Sequence, residues 1–130
     1  MRNLILLLFI VVFGIIGYLA FKPTVEPFRP YPDDFRLGSA KNFIGDYIEQ
    51  EFIVTEVYED DNKLILNIGG SFPYQKIALV IWSNDFGNFS SMKPFKELEG
   101  MQIICRGDIT EYQGQPQVVI RDTKQLELKD

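Results

Sequence analysis

The sequence predicts an all-β fold, a small five-stranded Greek-key barrel with a short helix between strands 3 and 4, preceded by one transmembrane helix. Three observations support this prediction. Residues 1–22 contain a long uncharged apolar run, residues 23–34 hold four prolines, and residues 35–130 alternate β-branched and aromatic runs with turn-forming residues. A chain of 130 residues has room for one such domain besides a membrane segment.

The uncharged run covers residues 4–21, LILLLFIVVFGIIGYLAF. As a helix it would be about 27 Å long, which matches the hydrocarbon core of a bilayer, so we expect an uncleaved transmembrane anchor over residues 1–22. A cleaved signal peptide and a buried helix are the alternatives. Cleavage after Ala20 would leave the bulky Tyr18 at a position that requires a small side chain.

The charges around this run indicate its orientation. Arg2 and the α-amino group precede it, whereas Lys22 behind it is soon offset by Glu26. Because positive charge concentrates on the cytoplasmic side of membrane helices, we expect an N-in anchor with the soluble domain outside the cytoplasm, periplasmic or extracellular. The prolines of residues 23–34 predict a semi-rigid linker, with a proline-rich docking motif as the alternative.

Five segments of the domain at residues 35–130 predict strands, because β-branched and aromatic residues recur in them between turn signals. These segments are residues 51–58, 63–69, 76–82, 102–110 and 117–122. The stretch at residues 39–48 is expected to be a short helix or a loop. A short helix is also predicted between the third and fourth strands, where apolar residues lie three to four positions apart. Those residues are Phe86, Phe89, Met92, Phe95 and Leu98.

Alternation along the strands predicts which side chains face the core. The inward residues are expected to be Ile53, Thr55 and Val57 in the first strand, Leu64, Leu66 and Ile68 in the second, and Cys105, Gly107 and Ile109 in the fourth. A glycine in the middle of a strand is expected where a small barrel bends sharply. Barrel closure therefore explains Gly107 without a ligand.

Three strands, a short helix and two further strands follow the order of the OB-fold. The segments GGSFPYQKIALVIW, ELEGMQIICRGDI and YQGQPQVVIRDTKQLEL also resemble bacterial OB-fold domains of the nucleic-acid-binding (tRNA/helicase-like) type. The resemblance covers residues 45–128 and includes a turn formed by Tyr112, Gly114, Pro116 and Gln117. Thr55 departs from it, because the family commonly has glycine there. Haem-carrying OB-folds attach haem through histidine, which this chain lacks.

OB-folds that bind nucleic-acid strands use the face of strands 2 and 3 with the first and last hairpin loops. The corresponding ligand-binding candidates here are Lys63, Asn67, Phe72, Tyr74, Lys76, Trp82, Arg106, Tyr112, Gln115 and Gln117. Each also has a purely structural interpretation. The aromatic residues could pack over the barrel mouth or on Pro116, and the charged residues could be solvated strand positions.

The amino-acid composition excludes several kinds of catalytic and metal-binding chemistry. Histidine is absent and Cys105 is the single cysteine, which excludes Ser-His-Asp and Cys-His catalysis, histidine-bound zinc and intramolecular disulfides. We therefore expect no catalytic residues, no metal and no cofactor, and a protein that is not an enzyme. Cys105 is expected to be a buried small residue. The acidic turn at residues 59–61 lacks the ligand spacing of a calcium loop and is expected to be a solvated hairpin tip.

Two functions remain open at this point. The first is weak binding of single-stranded nucleic acid or a similar polyanion, and the second is an accessory subunit that docks onto a membrane-protein complex through the barrel. A carbohydrate-binding module is a third, more distant alternative. Charge opposes the first function, because 18 acidic and 13 basic residues give a net charge of −5, whereas phosphate contacts dominate nucleic-acid affinity.

The surface of the domain would discriminate between these functions. A basic strip through Lys63, Lys76 and Arg106 would favour nucleic acid, since such a strip can neutralise phosphates even on an acidic protein. An apolar patch around Trp82 and Phe72 would favour docking onto another protein.

Overall fold

The computed structural model describes residues 35–129, which form six β-strands and three short 3₁₀ segments. The strands are β1 (Tyr47–Glu59), β2 (Lys63–Ile68), β3 (Ile77–Trp82), β4 (Gln102–Tyr112), β5 (Gln115–Val119) and β6 (Leu126–Leu128). The 3₁₀ segments are Leu37–Phe43, Ser83–Met92 and Phe95–Leu98. The predicted β-rich fold with short helical segments is confirmed. The sequence predicts five of the six strands and misses β6, because alternation cannot be detected over three residues.

Strand pairing produces one mixed sheet in the order β1-β2-β3-β5-β4-β6, and β1 also pairs with β4. These pairings close a ring through β1, β2, β3, β5 and β4. β1 closes the ring because it has two partners. Its residues 47–53 pair with β4, and its residues 54–59 pair with β2. Strands β3 and β5 run parallel, whereas the other pairs are antiparallel.

A β-bulge in β1 corrects the inward set predicted for this strand. Phe52, Val54 and Val57 are buried, whereas the Ile53 side chain is 56% exposed and Thr55 is also exposed. The pairing with β2 shifts register between Val54 and Glu56, so one extra residue changes the alternation. The prediction is right for Val57 and wrong for Ile53 and Thr55.

Alternation is regular in the other two strands for which it was predicted. In β2, Leu64, Leu66 and Ile68 are buried, and in β4, Cys105, Gly107 and Ile109 are buried, as expected. Burial raises the pKa of the Cys105 thiol to about 12, because an apolar environment disfavours the thiolate. This residue therefore serves as a small core side chain rather than as a nucleophile.

The apolar run between β3 and β4 forms two 3₁₀ segments rather than a regular α-helix. Its apolar residues lie three positions apart, which matches the three residues per turn of a 3₁₀-helix and places them on one side. Phe89, Phe95 and Leu98 are buried in the core, and Phe86 and Met92 pack against it. The predicted helix is thus present as shorter, tighter turns whose apolar side chains pack on the core.

Gly107 is required for close packing between strands. A Cβ atom at this position would lie 2.8 Å from Val118 Cγ1 and 3.0 Å from Gln125 Nε2. The Gln125 amide occupies this space because its Nε2 donates hydrogen bonds to the carbonyl oxygens of Arg106, at 3.3 Å, and Val119, at 3.1 Å. The glycine therefore admits a side chain that ties β4 to the end of β5.

Within residues 35–129, no helix has both the length and the apolar character needed to cross a membrane. The predicted anchor at residues 1–22 and the predicted linker at residues 23–34 lie outside the described residues.

Candidate functional site

A groove lies on the outer face of the ring, over β2, β3 and the β4–β5 hairpin, and we call it the β2–β3 groove. Its volume is about 590 Å³. Alternation creates it, because Leu64 and Leu66 face the core while Lys63, Ile65 and Asn67 face the groove. The loop between β2 and β3 closes one side, and the hairpin closes the other.

Six of the ten candidate residues predicted from the sequence line this groove. They are Lys63, Asn67, Phe72, Tyr112, Gln115 and Gln117. The two rings among them are well exposed, with Phe72 at 72% and Tyr112 at 60%. The structure therefore brings together residues from the face of strand 2 and from the last hairpin, which lie far apart in the sequence.

Three further candidates lie near the groove without lining it. Tyr74 is 80% exposed in the loop between β2 and β3. Lys76 packs its aliphatic stem against Gly69 at the start of the same loop. Trp82 ends β3 directly opposite Lys63, whose Nζ lies 6.0 Å from the centroid of the indole ring. The indole is half exposed and available to a ligand that extends past the groove.

Arg106 belongs to a different surface. Its guanidinium forms ion pairs with Glu49, at 3.3 Å, and with Glu127, at 3.0 Å. It lines a separate depression together with Tyr47 and Gln125. Arg106 holds β1, β4 and β6 together and is not part of the β2–β3 groove.

The described residues form no basic strip through Lys63, Lys76 and Arg106. Lys63 lies in the groove, but its Nζ is 3.5 Å from the Asp60 carboxylate. The Lys76 and Arg106 side chains do not line the groove. The positive potential expected for a nucleic-acid surface is therefore limited to one partly neutralised lysine.

Asp60 organises the turn between β1 and β2. Its Oδ1 accepts hydrogen bonds from the backbone N–H groups of Asn62 (2.7 Å) and Lys63 (2.9 Å), and its Oδ2 accepts one from the Tyr58 hydroxyl (2.9 Å). These bonds, chiefly those from Asn62 and Tyr58, lower the pKa of Asp60 to about 2. The acidic turn is thus a hydrogen-bonded hairpin tip, and the described residues contain no cluster of three metal-ligating side chains.

The lowered pKa of Asp60 gives a testable pH dependence. The carboxylate contributes stability at pH values above about 4, and most of this contribution is lost as the pH falls to about 2, where the unfolded state is protonated and the folded state is becoming so. We expect Asp60→Asn to lower the urea midpoint at pH 6 and to have little effect at pH 2. The control is Asp61→Asn, which alters an exposed neighbour. Equal effects of the two variants at pH 6 would contradict this role.

Glu56 is the one carboxylate among the described lining residues, and it is not among the candidates predicted from the sequence. Its Oε1 accepts hydrogen bonds from Asn67 Nδ2, at 2.8 Å, and from the backbone N–H of Phe72, at 2.9 Å. These two bonds, first that of Phe72 and then that of Asn67, lower the pKa of Glu56, so the side chain is ionised at neutral pH. The side chain of Glu56 thereby links β1, β2 and the β2–β3 loop.

Two buried oxygens of groove-lining side chains have no hydrogen-bond partner among the described residues. They are Oδ1 of Asn67 and Oε1 of Gln75, and both side chains line the groove. Asn67 is only 2% exposed, so its oxygen lies below the surface of the groove. This end of the groove therefore has an excess of hydrogen-bond acceptors.

Apart from Gln113, the remaining lining is apolar or aromatic. The residues that the sequence analysis did not select include Tyr58, Ile65, Ala78, Val80 and Pro116. The groove thus combines an apolar floor, exposed rings on opposite sides and one acceptor-rich end. Such a surface suits an extended ligand with apolar or planar groups. Alternation could have identified Ile65, Ala78 and Val80, but the contributions of Glu56, Gln75 and Pro116 depend on how the strands and loop come together.

No model of a known protein family matches this sequence, and no curated protein is similar to it in sequence.

Proposed function

We propose that this chain is a non-catalytic binding module built on an OB-fold, and that its β2–β3 groove docks an extended segment of a partner protein. The ring order β1-β2-β3-β5-β4 and the helical segments between β3 and β4 support the OB-fold assignment. The resemblance of residues 45–128 to bacterial OB-fold domains agrees with it. The binding role rests on the groove itself, because a fold alone does not define a function.

The observation that carries the proposal is the apolar and aromatic character of the groove, combined with its low positive charge. Phe72 and Tyr112 expose most of their surface beside a floor formed by Ile65 and Val80. Lys63 is the one cation among the described lining residues, and it lies beside Asp60. Exposed aromatic residues around apolar pockets are typical of protein docking sites.

The apolar run at residues 4–21 supports a membrane location for this activity. An N-in anchor would hold the domain outside the cytoplasm, close to the bilayer surface. We therefore propose an accessory subunit of a membrane-protein complex, with the groove as its docking site. Tethering would raise the effective concentration of the domain near its partner, so that a groove of low affinity could still bind it.

Site-specific photo-crosslinking in the full-length chain tests the proposal. A crosslinking residue at Gln115, on the exposed lip of the groove, is compared with one at Asn42, which is exposed outside the groove lining. We expect a defined protein adduct from position 115 alone, and its loss when Phe72→Ala and Tyr112→Ala are combined. The same adducts from both positions, or none from position 115, would refute docking through the groove.

A second candidate, weak binding of single-stranded nucleic acid, is favoured by the exposed rings of Phe72 and Tyr112. Stacking of one base on an aromatic ring contributes about 1–3 kcal/mol and does not require a strongly basic surface. For the full-length chain, this candidate predicts salt-sensitive binding of a labelled single-stranded oligonucleotide in fluorescence anisotropy, weakened by Tyr112→Ala. Absence of binding at low salt would eliminate it.

A further inference from the structure

We infer that the partner segment bound in the β2–β3 groove presents an arginine, whose guanidinium is held by Glu56, Asn67 and Gln75 at the acceptor-rich end. This inference rests on the proposed docking function and specifies the chemistry of the partner. It follows from three observations, which are the position of one carboxylate, the absence of partners for two buried oxygens and the rings nearby.

The Glu56 carboxylate is fixed where a ligand in the groove can reach it. Hydrogen bonds from Asn67 Nδ2 and the Phe72 N–H both end on Oε1, and they hold the carboxylate over the wall of the groove. Lys96 is the cation whose charge lowers the pKa of Glu56, but this effect is smaller than that of the two hydrogen bonds, and Lys96 itself pairs with Glu99 at 3.0 Å. Glu56 therefore has a net attraction for a cationic ligand.

Asn67 and Gln75 add two acceptors to this carboxylate. The orientation of the Asn67 amide is determined by its Nδ2, which donates to Glu56, because the reverse orientation would place Oδ1 against a carboxylate oxygen. Oδ1 of Asn67 and Oε1 of Gln75 remain buried without donors. A buried oxygen without a donor is unfavourable, so a ligand that supplies N–H groups gains affinity here.

Access to these oxygens depends on the loop between β2 and β3. Both atoms are shielded from solvent, and Gln75 and Phe72 are carried by this loop. Gly69 and Gly70 begin the loop with positive φ values of 78° and 146°. A shift of the loop on binding would expose both oxygens, and the guanidinium would then replace the Phe72 N–H as a donor to Glu56 Oε1.

Arginine fits this arrangement better than other donors do. Its planar guanidinium offers five N–H groups in a fixed fork, which can serve a carboxylate and two amide oxygens together, whereas lysine offers a single ammonium. The guanidinium also stacks favourably on aromatic faces, and the exposed Phe72 ring belongs to the residue whose N–H binds Glu56. A nucleic-acid strand would instead bring phosphates next to Glu56. Both this carboxylate and the net charge of −5 would repel them.

The test uses the full-length chain and two small probes, N-acetyl-arginine-N-methylamide and its neutral citrulline counterpart. Binding is followed by NMR through the side-chain amide signals of Asn67 and Gln75. We expect the arginine probe to shift both signals, and the citrulline probe to bind about tenfold more weakly, because it lacks the charge that pairs with Glu56. Equal binding of the two probes would overturn the inference.

Matched variants identify the carboxylate responsible. Glu56→Gln keeps the size of the side chain and is expected to lower the affinity for the arginine probe about tenfold. Glu111→Gln makes the same charge change on an exposed residue outside the groove lining and is expected to have no effect. Equal weakening by the two variants would indicate only general electrostatic attraction and would also overturn the inference. Gln75→Ala is an independent variant that leaves the charge unchanged and is expected to lower the affinity for the arginine probe.

Failure of this inference can be told apart from failure of the proposed function. If the crosslink from position 115 persists in Glu56→Gln at the wild-type level, the docking function is supported and the inferred partner arginine is refuted. If the wild-type chain gives no such crosslink, the docking function itself fails. If a single-stranded oligonucleotide shifts the Asn67 and Gln75 signals more strongly than the arginine probe does, the groove is a nucleic-acid site and the inference is refuted.

Discussion

Phe89→Ala is expected to destabilise the domain by about 3–5 kcal/mol, because it removes a whole ring from the core. Phe89 is completely buried, and it belongs to the same core cluster as Phe95 and Leu98. The backbone of this segment is short and kinked, with φ −119° and ψ 21° at Phe89 itself, and Phe89 is its one buried residue, so the side chain ties the segment to the core. Urea unfolding followed by circular dichroism measures the loss.

The matched control is Phe72→Ala, which removes an identical side chain from the surface. Phe72 is 72% exposed, so the control is expected to change the free energy of unfolding by no more than about 0.5 kcal/mol. The two variants thus separate stability from binding, since Phe72→Ala is expected to weaken binding in the groove without destabilising the domain. A loss below about 1 kcal/mol for Phe89→Ala would show that the segment does not anchor the core.

Gly107→Val is expected to cost about 3 kcal/mol, at the upper end of the range for overpacking. The first added atom already lies 2.8 Å from Val118 Cγ1, and Val118 is fully buried and cannot move outwards. The branched side chain would also displace the Gln125 amide, whose hydrogen bonds connect the backbones of Arg106 and Val119. Thermal unfolding and loss of amide protection at the β4–β5 pair would report both effects.

Gly87→Val is the control for this variant. Gly87 has open space around its Cβ position and a φ outside the left-handed region, so only a small local cost is expected. If the two substitutions were equally destabilising, the effect would come from the loss of glycine in general. Space between β4 and β5 would then not be its cause.

Local sequence patterns were sufficient to predict the type of fold. Runs of β-branched residues located five strands, and alternation identified the buried residues of β2 and β4. The spacing of Phe89, Phe95 and Leu98 correctly indicated helical turns with one buried side. These features are local, because the direction of a side chain in a regular strand or turn depends on its position relative to a few neighbours.

The candidate site was predicted in part. Lys63, Asn67 and Phe72 line the groove as the face of strands 2 and 3 suggested, but Arg106 lies on another surface. The sequence carried no sign that Glu56 would face the groove beside them. Its position depends on the pairing of β1 with β2, and charge alone does not reveal which strand becomes a neighbour.

By itself, the sequence determined the β-rich class of the fold, the alternation within regular strands, and the absence of histidine chemistry. Only the tertiary structure decided the bulge between Val54 and Glu56, the added strand β6, and the contact of Glu56 with Asn67 in the wall of the groove. The reason is physical. Alternation records which side of a strand each residue occupies, whereas register, bulges and contacts between distant segments result from packing of the whole domain.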